Sequence, residues 1–494
     1  MKKILSLLLL SALCLSLAAC GDVVISGSAP SAVPGGTAPA DGDRVTVTMN
    51  GSSASCDGSG VAIHERSITI TSAGTYLLTG SLEEGQLTVN TGEDVKTDVT
   101  LILSDLTMTN SAGAVISVER AKNVYLVLAD GTVNTLTSGT EATMAAVNDS
   151  SSGAAIFSES DLKISGGGSL TVNGLINNGI TCKDDLDIDS GELVITAANN
   201  GIKGSESVSV TGGSITVTAG NDGIKSSSAV KEGKGYVTVE GGTITVCCGG
   251  DGISAETSLS VHGGDVSVTT TGDAALVSCK ALKSNTELVI SGGNLVLSAD
   301  DHCIRGETGV TVSGGVIEAE SLSGKAILSR GDISLEGGVM ALTAGEDGIA
   351  SDTAISMLGG TATVSAVKDG LHAGVKSTGF GAVSGSFTQT GGTLLISAGT
   401  DPVDAQALFA IDGGTFFAVG SGSNRRTPTG SQVCLLAALS GVADTELTVS
   451  GGASASMIPQ RSFSFVLYSE ASLTAGGSYT AAQGALNAAA TSVS

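Results

Sequence analysis

Nine aspartates sit where a divalent cation could be shared between carboxylates: Asp222 with Asp251, Asp273 with Asp300 and Asp301, Asp347 with Asp369, and Asp184 beside Asp185. Hard oxygen donors of this kind suit calcium, which takes several carboxylate or carbonyl oxygens at about 2.3–2.6 Å. The competing reading is local, because Asp before Gly is above all a turn former and its side chain can cap its own turn. Two lysines, Lys203 and Lys225, each follow one of these acidic or amide turns, and Arg305 holds the equivalent place farther along. A lysine beside a bound cation could act as a general base; a lysine facing carboxylates could equally pair with them.

What brings these residues together is a repeated phrase. NNGI ends at Ile180 and Ile202, NDGI at Ile224 and GDGI at Ile253. The series continues with DAAL at Leu276, DHCI at Ile304, GKAI at Ile327, EDGI at Ile349 and KDGL at Leu371. The steps are 22, 22, 29, 23, 28, 23, 22 and 22 residues, the signature of a solenoid. Within a step, Ser207 to Gly223 reads SVSVTGGSITVTAGNDG, two alternating strands around a Gly-Gly corner followed by an Asn/Asp-Gly turn. Valine, isoleucine or leucine at every second position points inward, with Ser and Thr outward. Corner glycines supply positive φ.

The expected fold is all-β, a right-handed parallel β-helix with coils of ~22 residues and three short strands each. Its longer steps mark surface insertions, near 226–235 and 277–286. Equivalent residues of successive coils then lie ~4.8 Å apart along the axis. Two stacked carboxylates at that spacing repel by roughly 1 kcal/mol in water and several times that at lower dielectric, which is the reason to expect calcium between them. The chain divides into a signal at 1–20, a linker at 21–42, an N-terminal β-rich cap with first coils at 43–150, the β-helix at 151–426 and a C-terminal β-rich cap at 427–494.

The first segment sets the compartment. Met1-Lys2-Lys3 precedes an apolar run that closes with Leu17-Ala18-Ala19-Cys20, an export signal with a cysteine placed for lipidation. Two acyl chains on Cys20 would hold the chain at the bacterial cell membrane without a spanning helix, and the Ser/Ala/Pro/Gly-rich linker lets the folded body stand off it. The net charge of −25 disfavours nucleic acid and anionic lipid as partners. Glycine at 71 with proline at 6 points to ordered turns and against Pro-rich disorder. The seven cysteines after Cys20 show neither a disulfide framework nor zinc-ligand spacing with the four histidines and read as small apolar fillers.

The order and spacing of these motifs resemble the carbohydrate-binding β-helix proteins, often lipoproteins, that are similar in fold to family 9 polysaccharide lyases. The residues that carry the resemblance run from Ser67-Ile68-Thr69-Ile70 through Gly85-Gln86-Leu87, Leu101-Ile102-Leu103, Asn134-Thr135-Leu136, Asp161-Leu162-Lys163-Ile164 and Asn177-Asn178-Gly179-Ile180 to the later DGI phrases. It spans about Arg44 to Tyr479. The resemblance implies non-catalytic binding of a cellulose-like or pectin-like polysaccharide, with calcium held by acidic turn residues. Ala274, His302 and Lys325 stand where an Asp of that pattern is missing.

Two other functions use the same residues. A calcium-dependent lyase acting on a uronate polymer would need a base, for which Lys203 and Lys225 are the candidates. A structural, adhesin-like surface rod would need only the hydroxyl-rich faces and the anchor. The chain has no Trp and five Tyr, so rings to stack on sugars are few; Tyr236 and Phe380 are the candidates, with Lys203, Lys225 and Arg305 as polar contacts. The chain is expected to act as a monomer.

Overall fold

The structure is a computed structural model that describes residues 44–92, 97–140, 153–375, 383–422, 426–452 and 454–493. The signal at 1–20, the linker at 21–42, Cys20 and Phe380 lie outside the described residues.

One coil serves for the others. Ile202–Gly204 is a three-residue strand, Ser207–Val210 a four-residue strand and Ser214–Ala219 a six-residue strand. Each pairs in parallel with its equivalent in the next coil: Ile202 with Ile224, Val208 with Val237, Ile215 with Ile244. Repetition of this pairing builds three parallel faces, named here the short, middle and long faces. The result is a parallel β-helix, as the periodicity predicts. In Ser214–Ala219, Ile215, Val217 and Ala219 point into the core while Ser214, Thr216 and Thr218 face out. Full burial of each Val or Ile contributes about 1.5–3 kcal/mol, but only with a neighbouring coil on either side. One continuous core therefore runs from Val47 to Leu467.

The short face fixes the register that function depends on. Its first residues stack in the order Ile156, Ile180, Ile202, Ile224, Ile253, Leu282, Ile304, Ile327, Ile349, Leu371 and Val403. This corrects one step of the sequence reading. Leu276, taken from the phrase DAAL, is 80% exposed, whereas Leu282 is fully buried in the column. The insertion of that coil is therefore the stretch before Leu282, not 277–286. The reason is the strand that follows: Leu282-Lys283-Ser284 repeats the pattern of Ile224-Lys225-Ser226, and only that alignment seals the core. The other insertion, after Ser226, falls where expected and ends as Tyr236–Val239 rejoins the middle face.

Antiparallel strands close both ends. Arg44–Gly51 lies parallel on Gly74–Leu82 and takes Ala54–Cys56 antiparallel on its other edge. At the far end Thr415–Gly420 accepts Phe465–Ser469 antiparallel, and a separate cluster around Phe417, Leu435, Tyr468 and Tyr479 packs there. Such strands cover sheet edges that would otherwise invite pairing with another chain. Cys182, Cys248, Cys279, Cys303 and Cys434 are buried and free, in keeping with their reading as fillers. Burial pushes the thiols of Cys182, Cys303 and Cys434 up to about 12.

The glycine of the DGI phrase serves close packing. A Cβ on Gly223 would stand 2.3 Å from Val246 Cγ1 and 2.6 Å from the Gly252 carbonyl oxygen, so the turn of one coil touches the next with no room for a methyl. Gly223→Ala should lower stability by about 1–3 kcal/mol, read as the midpoint of thermal unfolding. An unchanged midpoint would show that the coils are not in contact at this turn.

Candidate functional site

Between the long strand of one coil and the short strand of the next, the chain makes a tight turn. The residue two before the short-strand anchor has an amide N–H that runs along the axis toward the preceding coil. A side chain there receives it. The Asn200 amide donates to Asn178 Oδ1 (3.0 Å), that of Asp222 to Asn200 Oδ1 (3.2 Å), that of Asp251 to Asp222 Oδ1 (2.8 Å) and that of Lys280 to Asp251 Oδ1 (3.0 Å). The ladder resumes with Lys325 N–H on His302 Nδ1 (3.0 Å), Asp369 on Asp347 Oδ1 (3.2 Å) and Asp401 on Asp369 Oδ1 (3.1 Å). Asn, Asp and His are thus interchangeable by function: each places an acceptor two bonds beyond Cβ.

Every aspartate of the ladder uses one oxygen in this way and turns the other outward. At the middle of the short strand, three residues later, sits a column of side chains in register: Thr181, Lys203, Lys225, Ser254, Lys283 and Arg305. Lys225 Nζ lies 2.6 Å from Asp222 Oδ2, and Lys283 Nζ 2.7 Å from Asp251 Oδ2. Arg305 pairs with Glu307 at 2.5 Å, and Lys280 with Asp301 at 2.5 Å. Burial disfavours the charged form of Lys225, but Asp222, Asp251 and Glu256 outweigh it and raise its pKa. In this structure Lys225 is thus held as a charged partner of Asp222. Asp251 is the converse case: burial opposes its charge, yet Lys283 and Ser278 hold its carboxyl below the usual range.

Farther along the same face, after Leu328 and Ala350, the column ends in His372 and Asp404. His372 opens on a cavity of about 590 Å³ lined also by Lys325, Glu346, Asp347, Asp352, Asp369 and Asp401, among others. Burial favours the neutral form of Glu346, but the ammoniums of Lys325 and Lys368 bring its carboxyl down to about 2.

The structure sorts the expected site residues. Asp222 and Asp251 are vertical neighbours, as are Asp347 and Asp369. Asp273 is not in the ladder, because the register passes through Lys280; it lies exposed in the insertion and caps its own turn by accepting the Ala275 amide (2.9 Å). Asp300 accepts the Ala274 amide from that same insertion (2.8 Å). Asp185 is taken up by Ser207 (2.6 Å) and Lys234 (2.5 Å). Asp184 stands beside Glu206 and Asp161, and burial together with those charges raises its pKa. Tyr236 is half-buried on the middle face above Ser207 and does not join the lysine column. Lys283, Lys280, His372 and Asp404 were missed. The first two were hidden by the misplaced anchor, and the last by the 32 residues that separate it from His372, although Val403-Asp404-Ala405 repeats the short-strand pattern.

A protein-family model described as "Carbohydrate-binding domain-containing protein" matches residues 64–323 and 320–490. A curated protein of that description from Acetivibrio thermocellus is 35% identical over 138 residues, 28% of this chain and 48% of the relative; the chain thus spans about half the length of the relative. A solved structure, described as the polysaccharide lyase-like protein from C. thermocellum in a gadolinium derivative, is 34% identical with a TM-score of 0.44. The alignment covers 49% of this chain and 96% of that one.

The ladder makes a pH-dependent prediction. Burial is the main cause that lowers His302 from 6.5 to about 4; Asp301 opposes it, and the Lys280 and Lys325 charges add to it. The unfolded chain takes up this proton near 6.5 and the native chain only near 4, so the stabilisation is complete above pH 6.5 and is lost as pH falls toward 4. His302→Asn keeps an acceptor for the Lys325 amide and cannot titrate. Wild type should therefore lose about 1–3 kcal/mol more than the variant between pH 7 and 4.5. Parallel melting-temperature profiles for the two proteins would rule this out.

Proposed function

Because the chain belongs to the family of carbohydrate-binding domain-containing proteins, we propose that it is a non-catalytic polysaccharide binder whose glycan lies along the outer side of the short face. The observation that carries this reading is the column of Lys203, Lys225, Lys283 and Arg305, four partly exposed cationic side chains in strict register, with the buried Thr181 and Ser254 completing the stack. A step of ~4.8 Å is comparable to the length of one sugar residue, so a linear glycan can meet successive side chains with successive rings. Cationic side chains favour an acidic, pectin-like uronate polymer over a neutral, cellulose-like one. Their acidic partners Asp222, Asp251 and Glu307 hold them in place and leave donors for a carboxylate, since an ammonium has three and a guanidinium five.

Calcium belongs to this proposal where the oxygens fit it. The outer oxygens of Asp222 and Asp251 already face lysines, so that pair does not suit a cation. Asp347 and Asp369 stack beside Asp401 in the acidic cavity, and oxygen donors of that number suit calcium. When bound, the ion would bridge protein and uronate carboxylates. Export and lipidation at Cys20 complete the reading, placing the binder at the cell surface facing extracellular polysaccharide.

Retention of the protein by polygalacturonate and by insoluble cellulose, each with calcium or with chelator, tests the proposal. The double variant Lys283→Gln with Asp251→Asn removes one cation without stranding its buried partner, and Arg305→Gln removes another. Combined, these changes should weaken polygalacturonate retention about tenfold, equivalent to about 1.4 kcal/mol, and reduce its salt sensitivity while thermal stability holds. Unaltered retention would discard the column as the binding site. Release of unsaturated, ultraviolet-absorbing product would favour a lyase, and retention by neither glycan would favour a structural rod.

A further inference from the structure

Beside the acidic cavity, whose wall includes Asp369 and His372, three donors converge that lie up to 35 positions apart in the chain (369 to 404). His372 occupies the middle of one short strand and Asp404 the middle of the next, directly in register. Asp369 is the ladder residue three before His372. His372 Nδ1 lies 3.6 Å from Asp369 Oδ2 and 3.5 Å from Asp404 Oδ2, and the three ligand atoms all fall within 4.8 Å of one another.

Each side chain is fixed from behind. His372 Nε2 is 3.1 Å from the Gly374 carbonyl oxygen; a carbonyl only accepts, so Nε2 carries the hydrogen and Nδ1 is the nitrogen directed at the carboxylates. An imidazole whose far nitrogen donates to a backbone carbonyl is the usual second layer of a metal ligand. Asp369 Oδ1 accepts from the Asp401 amide and the Thr400 hydroxyl, and Asp404 Oδ1 accepts from Gln406 Nε2 at 2.5 Å. Each carboxylate therefore presents its Oδ2. Asp369 and Asp404 are both buried, so their charges call for a strong counter-charge.

Between His372 and the two carboxylates the contact is either a charge-assisted hydrogen bond from a protonated imidazole or a shared metal ion. The distances distinguish them. Charge-assisted N–H···O bonds run at about 2.7–2.9 Å, shorter than both separations. Donors bound to a tetrahedral ion at about 2.1 Å stand about 3.4 Å apart, close to both. The cavity provides the open side for water or a further oxygen ligand.

We propose that Asp369, His372 and Asp404 form a divalent transition-metal site, of the zinc, cobalt or manganese class. The imidazole nitrogen separates it from an all-oxygen calcium site, because nitrogen donors favour the borderline ions over calcium. Asp369 also belongs to the oxygen set proposed for calcium, so the two ions compete for one carboxylate. The site needs no glycan and stands apart from the reading of the lysine column.

Titration of the chain with Co²⁺ reads the site by its visible absorption. Wild type should give an intense ligand-field band that zinc abolishes at equimolar amounts and calcium does not. His372→Ala and Asp404→Asn should each remove the band. Loss of even an outer partner costs about 10–100-fold in metal affinity, so loss of a ligand should weaken zinc by at least about 100-fold. A band that survives His372→Ala, no band in wild type, or displacement by calcium as readily as by zinc would overturn the site. Asp404→Asn, close to isosteric, serves if the alanine variant misfolds. Polygalacturonate retention measured on the same samples separates the two proposals: lost retention with an intact band sinks only the glycan reading, and retention without a band sinks only this one.

Discussion

A backbone amide that points along the axis of a stacked coil must find an acceptor one coil away, and in this protein that requirement shapes the site. Strand amides find carbonyls; at seven of the turns that precede a short strand the amide finds a side chain. Leaving it unmet would cost about 1–3 kcal/mol per coil. Only residues with an acceptor two bonds past Cβ reach it, hence Asn178, Asn200, Asp222, Asp251, His302, Asp347 and Asp369. The acidity of the ladder is in this sense a by-product of stacking. Where Asn is used the column is neutral; where Asp is used it acquires a charge that another residue has to balance.

That balance explains where the cations stand. A residue three after the ladder position occupies the middle of the short strand and projects from the same side of the rod. Lys225 reaches Asp222 within its own coil, whereas Lys283 reaches back one coil to Asp251 because its own ladder residue is Lys280, which turns to Asp301. The insertion after Ser226 solves a separate problem in the same manner, with Lys231 and Lys234 covering Glu206 and Asp185. Stacked carboxylates are thus reconciled largely by ammonium groups, and it is only in the acidic cavity that carboxylates outnumber the lysines that face them, Lys325 and Lys368.

Much of this was legible in the chain. The 22-residue step, the alternation of Val and Ile with Ser and Thr, and the Asp-Gly turns dictate a parallel β-helix, because no other arrangement buries one row of each short strand. The stacking of Asp222 on Asp251 and of Lys203 on Lys225 followed from the same arithmetic. The failures have physical causes. Leu276 mimicked an anchor because the insertion ends its own turn with an apolar residue; the strand after the anchor was the better guide, since Leu282-Lys283-Ser284 matches Ile224-Lys225-Ser226. Repulsion between neighbouring aspartates pointed to calcium, whereas the ammoniums of Lys225 and Lys283, which the spacing did not single out as their partners, stand at the outer oxygens of Asp222 and Asp251. His372 and Asp404 could not be joined by motif spacing, because the coil between them carries an excursion that breaks the period.

The short face is consequently polarised along its length. From Lys203 to Arg305 its outward column is basic, Leu328 and Ala350 interrupt it, and from His372 to Asp404 it borders carboxylates. A uniform anionic glycan laid along the whole face would be attracted at one end and repelled at the other. Either the contact is limited to the coils from Lys203 to Arg305, or a cation in the cavity reverses the sign of its far end. Because exposed charge pairs are weak and screened while buried ones are not, the first regime would be strongly salt-dependent and indifferent to chelators. The second would be chelator-sensitive, and its dependence would trace to Asp347, Asp369 and Asp404, not to the lysines. The arrangement of charge along one column of side chains would thus decide how far a glycan bound on this face extends.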